Sequence, residues 1–182
     1  LGGLPFHLPH CSFFLVHSGQ AEKLYALLSQ WTEEGQAIVD GYSGSGGIAL
    51  WLAKQGRNVV GIEKFAPAME DARLSAESNG LSNCRFLTGT VEEHTAVLDE
   101  TIHTFVVDPP RKGCSEEVIQ AIKDAQPKQI IYVSCNPSTL ARDLERLEGY
   151  KIQDIRLIDM FPQTQHVETA TRLTKVPQEK AM

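Results

Sequence analysis

The sequence predicts an α/β fold in which a mainly parallel, seven-stranded sheet is covered by helices on both faces. Three observations point there. Short apolar runs at residues 37–39, 59–62, 105–107 and 130–133 alternate with amphipathic helical stretches. A glycine-rich turn, Gly41-Tyr42-Ser43-Gly44-Ser45-Gly46-Gly47, joins the first run to a helix, so backbone amides can approach a nucleotide-like ligand closely. Finally, Asp40, Glu63, Asp108 and Cys135 each stand at the carboxyl end of a predicted strand. In an open parallel sheet that edge is where ligands bind.

Taken in order, residues 1–17 hold two short apolar pieces around Pro9-His10-Cys11 and read as a lead-in strand or hairpin from a missing upstream region. From Ser18 the stripe Ala21, Leu24, Tyr25, Leu28, Trp31 predicts a helix ending near Gly35. The first strand and glycine turn follow, then a helix over 48–54 and a second strand over 58–63. Pro67 opens a helix that Asn79-Gly80 stops, and residues 84–87 form a third strand. A helix is expected over 90–99 and a strand over 102–107, running into Asp108-Pro109-Pro110-Arg111. Ser115 caps the next helix, which Pro127 closes, and the strand over 130–133 leads to Ser134-Cys135-Asn136-Pro137. After a helix through Leu140, Leu144 and Leu147, alternating strands are expected over 151–160 and 167–174, with a loop between them. Residues 18–176 thus form one domain and 177–182 a polar tail.

Composition narrows the class. The 182 residues suffice for one well-buried core, and 42% hydrophobic with 22% charged residues is ordinary for a globular chain without a membrane span. Cys11, Cys84, Cys114 and Cys135 form no CxxC pair, so neither a metal site nor an iron–sulfur cluster is signalled, and a cytoplasmic setting is expected. A net charge of -6 argues against a broad basic face for gripping nucleic acid, though not against nucleic acid as substrate. The turn lacks the third glycine of the NAD fingerprint, and the acid before it suits an adenosylmethionine site better. Glu63 serves either ligand, as a partner for ribose hydroxyls.

Cys135 follows a buried strand and precedes a helix whose N-cap is Asn136 and whose first residue is Pro137. Unpaired amides and the helix dipole there favour a thiolate. Taken alone, the residue reads as a small packed hydrophobe.

Three stretches change that reading: Asp108-Pro-Pro-Arg-Lys-Gly113, Tyr132-Val-Ser-Cys-Asn-Pro137 and Asp159-Met-Phe-Pro-Gln-Thr-Gln-His-Val-Glu168. Together they resemble the signatures of the RNA 5-methyluridine methyltransferases, most closely the 23S ribosomal RNA branch, from about Phe13 to Lys175. The resemblance implies a class I (Rossmann-like) methyltransferase fold, S-adenosylmethionine as methyl donor and uridine C5 in RNA as acceptor. It implies Cys135 as nucleophile at C6, Glu168 as the base that removes the C5 proton, and Asp108 as a positioning group between methyl donor and uracil. Tyr42, Gly44, Gly46, Gly47, Glu63 and Asp108 fall at methyl-donor positions, while Phe13 is placed to stack on a base and Arg111 to meet a phosphate or hold structure.

The pattern departs from the family at three points. Leu15 stands where Phe-x-Gln is usual, Ser43 where a cysteine follows the tyrosine, and Gly47 where asparagine is frequent. Two alternatives accompany the rRNA reading: a tRNA uracil-5-methyltransferase, and a degenerate domain that binds RNA or methyl donor without turnover. A nicotinamide oxidoreductase rests on the glycine turn and Glu63 alone. An upstream RNA-binding module is expected, since a uridine in folded RNA has to be extruded from its stack.

Overall fold

The structure is a computed structural model that describes residues 3–5, 18–98, 101–160, 162–164 and 167–177. Its elements run α1 (Ser18–Gln30), β1 (Ala37–Gly41), α2 (Gly47–Lys54), β2 (Asn58–Glu63), α3 (Ala66–Ser78), β3 (Cys84–Thr88), α4 (Val91–Thr95), β4 (Thr104–Val107), α5 (Glu116–Ala125), β5 (Gln129–Ser134), α6 (Pro137–Arg146), β6 (Tyr150–Ile158) and β7 (Glu168–Lys175). The seven strands form one sheet in the order β3-β2-β1-β4-β5-β7-β6. All neighbours through β5 pair in parallel, and β7 is antiparallel to both β5 and β6.

The apolar runs account for this layering. Side chains alternate across a strand, so Ile38, Val106, Ile131 and Val133 pack under α1–α3 with Leu24, Leu28, Leu52 and Met69. Val39, Phe105, Val107, Ile130 and Tyr132 pack under α4–α6 with Val118, Ile122 and Leu140. Both faces of the central strands are therefore buried, as a parallel sheet requires.

Differences from the sequence expectation fall at element ends. Helix α1 stops at Gln30 rather than near Gly35, because the Thr32 hydroxyl donates to Leu28 O at 3.1 Å and closes the last turn. The helix expected over 90–99 is only α4: the Thr90–Glu93 capping box starts it, but Val97 is 70% exposed and supplies no apolar anchor for further turns. Strand β4 begins at Thr104, where pairing with Ile38 of β1 starts. Strand β6 is bulged between Ile152 and Asp154, so Ile152, Ile155 and Leu157 lie largely exposed at the sheet edge instead of alternating inward. The lead-in strand expected over 1–17 lies outside the described residues except for 3–5, and residues 178–182 of the polar tail lie outside them too.

Arg57 secures the edge of the sheet opposite the strand ends discussed below. It is 8% exposed and donates to Ser29 O (2.8 Å), Thr32 O (2.7 Å) and Thr32 Oγ1 (3.2 Å), tying the end of α1 to β2. Arg57→Ala removes the donor to Thr32 O and breaks the link between α1 and β2, and is expected to cost about 2–4 kcal/mol of unfolding free energy. Urea titration measures it, and a loss under about 0.5 kcal/mol, the size of an ordinary surface substitution, contradicts the assignment.

Candidate functional site

Parallel strands β1, β2, β4 and β5 present their carboxyl ends at one edge. Asp40 is the penultimate residue of β1, Glu63 the last of β2, Asp108 follows β4 and Cys135 follows β5. Strand β7 enters in the opposite sense, so its first residue, Glu168, lies at the same edge. Ser134 pairs with Thr169, and that antiparallel register carried one residue further sets Cys135 opposite Glu168. Glu168 is 5% exposed, whereas Cys135 and Asp108 are partly buried.

The Cys135 turn is held from both sides. Asn136 N donates to Ser134 Oγ at 3.1 Å, and the Ser134 hydroxyl lies 3.1 Å from Asn136 O. Asn136 Oδ1 accepts from Ser138 N at 3.1 Å, which is the expected N-cap, and Pro137 opens α6. The charge balance on the thiol differs from the helix-dipole expectation. Burial raises the Cys135 thiol above its ordinary value, Glu168 and Asp108 raise it further, and its own amide and Arg111 pull only partly the other way.

The glycine-rich turn is braced by Asp40. This fully buried carboxylate accepts from the Ser43 hydroxyl at 2.7 Å and from Ala49 N at 3.2 Å through Oδ2, while Oδ1 has no partner. Gly46, at φ +80°, has no room for a side chain: a Cβ would lie 3.0 Å from Ala72 Cβ and from the Phe86 ring. At Gly47 a Cβ would meet the Tyr25 hydroxyl at 2.5 Å, so that hydroxyl fills the space above the turn. Glu63 Oε1 accepts from Phe65 N at 2.9 Å and Oε2 from Gly44 N at 3.4 Å, which fixes the carboxylate at its strand end.

Tyr42, Glu63 and Asp108 line a cavity of about 600 Å³ beside these groups, together with Ile62, Lys64, Gly89, Thr90, Val91, Pro110, Lys112 and Ser115. A larger cavity of about 810 Å³ between α4 and α5 holds none of the strand-end groups. The structure thus brings Tyr42, Gly44, Gly46, Gly47, Glu63, Asp108, Cys135 and Glu168 to one edge, with exposed Arg111 on the loop that packs on α6. Phe13 and Leu15 lie outside the described residues. Sequence reasoning missed the wall made by Lys64, Gly89, Thr90 and Val91. Its one visible signal is the Thr-x-x-Glu capping box at Thr90–Glu93, which starts α4 directly after β3. Among the described residues no group of His, Cys, Asp and Glu could hold a metal ion, and no helix is long and apolar enough to cross a membrane.

Carboxyl groups dominate the electrostatics. Burial pushes Asp40 up to about 7, with the Ser43 bond opposing and Asp108 adding to the rise. Burial likewise takes Asp108 to about 6, and burial followed by the Asp108 charge takes Glu168 to about 8. Near neutral pH this edge therefore holds acids able both to keep and to release a proton, next to a thiol.

A sheet of order 3-2-1-4-5-7-6, with its cavity at the β1/β4 switch point and an acid closing β2, defines a class I, Rossmann-like methyltransferase. The family description for tRNA (uracil-5-)-methyltransferases matches residues 20–176, and the chain belongs to that family. It is 45% identical over 179 residues to an uncharacterized RNA methyltransferase of Gloeobacter violaceus, covering 96% of this chain and 39% of that protein. It is 43% identical to one of Geobacter sulfurreducens, covering 96% of this chain and 37% of that protein. The chain thus spans about two fifths of the length of these relatives. Among solved structures it resembles the Pyrococcus abyssi tRNA (uracil-54, C5)-methyltransferase in complex with S-adenosyl-L-homocysteine, at 37% identity and a TM-score of 0.82. That match covers 90% of this chain and 40% of the other. TrmN from Thermus thermophilus, at 21% identity and a TM-score of 0.65, covering 85% of this chain and 48% of that one, shares the fold.

The buried acids give the chain an inverted pH response. Asp40, Asp108 and Glu168 have folded-state values above those of an unfolded chain, so at pH values between the two the folded state holds more protons than the unfolded one. Their contribution is complete below about pH 4 and is lost as pH climbs through about 6 to 8. Thermal unfolding of the ligand-free chain is expected at higher temperature at pH 5.5 than at pH 8.5. Asp40→Asn, which can still accept from Ser43 and Ala49, should flatten that slope; an unchanged slope removes Asp40 as its source.

Proposed function

We propose that this chain is the catalytic domain of an S-adenosylmethionine-dependent RNA uracil-C5 methyltransferase. The observation that carries the reading is the β5–β7 register that sets Cys135 opposite Glu168, one strand away from Asp108 and the cavity it lines.

The cavity residues suit this methyl donor. Glu63 can take ribose hydroxyls, Val91 and Ile62 offer apolar contact to a base, Tyr42 adds to the wall, and Asp108 lies close enough to Cys135 for its charge to act on the thiol. The orphaned Oδ1 of Asp40 and the raised Asp108 favour a cationic ligand, whose charge pulls both acids back toward ionisation. Adenosylmethionine supplies an electrophilic methyl group when bound.

This chain's own residues do the rest. Uracil C5 is a poor nucleophile, so the Cys135 thiolate adds to C6 and pushes electron density onto C5 and O4. Once C5 carries the methyl group, its remaining hydrogen leaves as a proton to Glu168. The C5–C6 double bond then re-forms with expulsion of Cys135. Glu168 has to be ionised for this, and burial with the Asp108 charge keeps its affinity for the proton high enough to take it from carbon. Arg111 is exposed on the loop beside Cys135, where it can meet an RNA phosphate; the base-stacking role of Phe13 rests on the family resemblance alone.

Ribosomal RNA is the acceptor suggested by the wording of the Asp159–Glu168 motif. Transfer RNA is the second reading, favoured by the family's name and by the Pyrococcus abyssi relative. A chain with a net charge of -6 gains little affinity from phosphate contacts, so the RNA grip is assigned to a separate module outside residues 18–176. A domain that binds without turnover is the outcome the following test eliminates.

Labelled methyl donor and separate rRNA and tRNA pools, incubated with the full-length protein, give 5-methyluridine in one pool. Cys135→Ala lowers the rate by about 10³-fold or more. Glu168→Gln still methylates but holds the RNA covalently, seen as a retarded band on a denaturing gel. The parent rate climbs from pH 6 to 9, because Cys135 and Glu168 both have to lose protons whose release burial delays. Donor and RNA binding without any 5-methyluridine refutes the assignment.

A further inference from the structure

Asp143 is a fully buried carboxylate on α6, a helix otherwise polar on its outer face. Through Oδ2 it accepts from the Tyr132 hydroxyl at 2.6 Å and from Cys114 N at 2.8 Å. Through Oδ1 it accepts both Nε (2.9 Å) and Nη2 (2.8 Å) of Arg142, and Arg146 approaches to 3.8 Å. Tyr132 lies on β5 three residues before Cys135, and Cys114 ends the loop that Asp108 begins. One carboxylate therefore grips the strand that presents the nucleophile and the loop that lines the methyl-donor cavity.

The grip is reinforced along its length. Arg142 Nη2 also donates to Lys112 O at 2.9 Å, and Asn136 Nδ2 and Thr139 Oγ1 reach Arg111 O at 3.0 and 3.2 Å. The Tyr132 and Tyr42 hydroxyls both act on the Cys114 thiol, and Tyr42 lines the cavity. Gly113 sits at φ +78°, and a Cβ there would overlap Asp143 Oδ2, so the loop backbone is pressed directly onto the carboxylate.

We propose that Asp143, clamped by Arg142, is a positioning residue that fixes the distance between the Asp108 loop and the Cys135 turn. The uridine held by Cys135 and the methyl donor lined by Asp108 thereby come into reacting register. The proposal rests on the methyltransferase reading above. Methyl transfer is the step that needs both halves of the site at once, and misplacement by about 1 Å can cost about 10²-fold. Binding of the methyl donor uses the cavity alone, and the reactivity of the thiol uses the Cys135 turn alone.

The test compares the parent full-length protein with Asp143→Asn and Arg142→Lys. Four quantities are measured: thermal midpoint, affinity for S-adenosylhomocysteine, iodoacetamide alkylation of Cys135 followed by peptide mass spectrometry, and single-turnover methyl transfer to RNA. Asp143→Asn keeps the shape but loses the charged pair with Arg142. Arg142→Lys keeps the charge but loses the fork and the reach to Lys112 O. In both, S-adenosylhomocysteine affinity and alkylation per folded molecule are expected within about threefold of the parent, while single-turnover methyl transfer falls about tenfold or more in Asp143→Asn and less in Arg142→Lys. Methyl transfer within about threefold of the parent in both variants overturns the proposal. So does an equal fall in affinity and alkylation, which marks a merely structural role. A parent protein that never methylates RNA refutes the functional reading itself, and the proposal with it.

Discussion

The site depends on the direction of one strand. Every parallel strand of the sheet delivers its last residue to the functional edge, whereas β7, inserted antiparallel between β5 and β6, delivers its first. Glu168 is consequently pinned from two sides, opposite Ile158 on β6 and beside the Ser134–Thr169 pair on β5. A slip of one residue would turn Glu168 to the other face of the sheet and bring Val167 or Thr169 against Cys135. The pairing holds because Ala170 and Leu173 are buried on opposite faces, so a slipped register would exchange apolar and polar positions on both.

Two kinds of buried carboxylate coexist in this edge. Asp143 is saturated by a tyrosine, a backbone amide and an arginine that donates twice to its second oxygen, the arrangement under which a buried charge holds a structure together. Asp40 keeps one oxygen unpartnered, and Asp108 and Glu168 have values displaced upward by burial. That difference separates scaffold from site. The first group is satisfied before any ligand arrives, whereas the others carry a desolvation cost that a cationic ligand can relieve.

Much of this edge is legible in the sequence because strand ends are marked by chemistry. Asp40, Glu63, Asp108 and Cys135 each follow an apolar run, and parallel topology alone gathers them. Glu168 is placed only by the motif that precedes it, since alternation along residues 150–175 carries no strand direction. Asp143 is invisible for a different reason: in a helix reading Arg-Asp-Leu-Glu-Arg an acid looks solvent-facing, and only the fold of the 108–114 loop over α6 buries it. The thiol shows where a local rule loses to its surroundings. A helix N-terminus is worth about 0.3–1 kcal/mol to an anion, which burial and two neighbouring carboxyl groups outweigh at Cys135.

The departures from the family pattern at Ser43 and Gly47 acquire a physical sense from the same edge. The Ser43 hydroxyl points at Asp40, where a short hydrogen bond opposes the effect of burial on a carboxylate with few other partners. A cysteine there would donate more weakly. Gly47 yields its side-chain space to the Tyr25 hydroxyl, which approaches the turn from α1 and feels the Asp40 and Asp108 charges. Both changes act on the support of the glycine-rich turn and leave the Cys135–Glu168 pairing untouched. On the methyltransferase reading proposed above, a loss of activity traced to either should therefore register in methyl-donor affinity before it registers in the covalent chemistry at uracil.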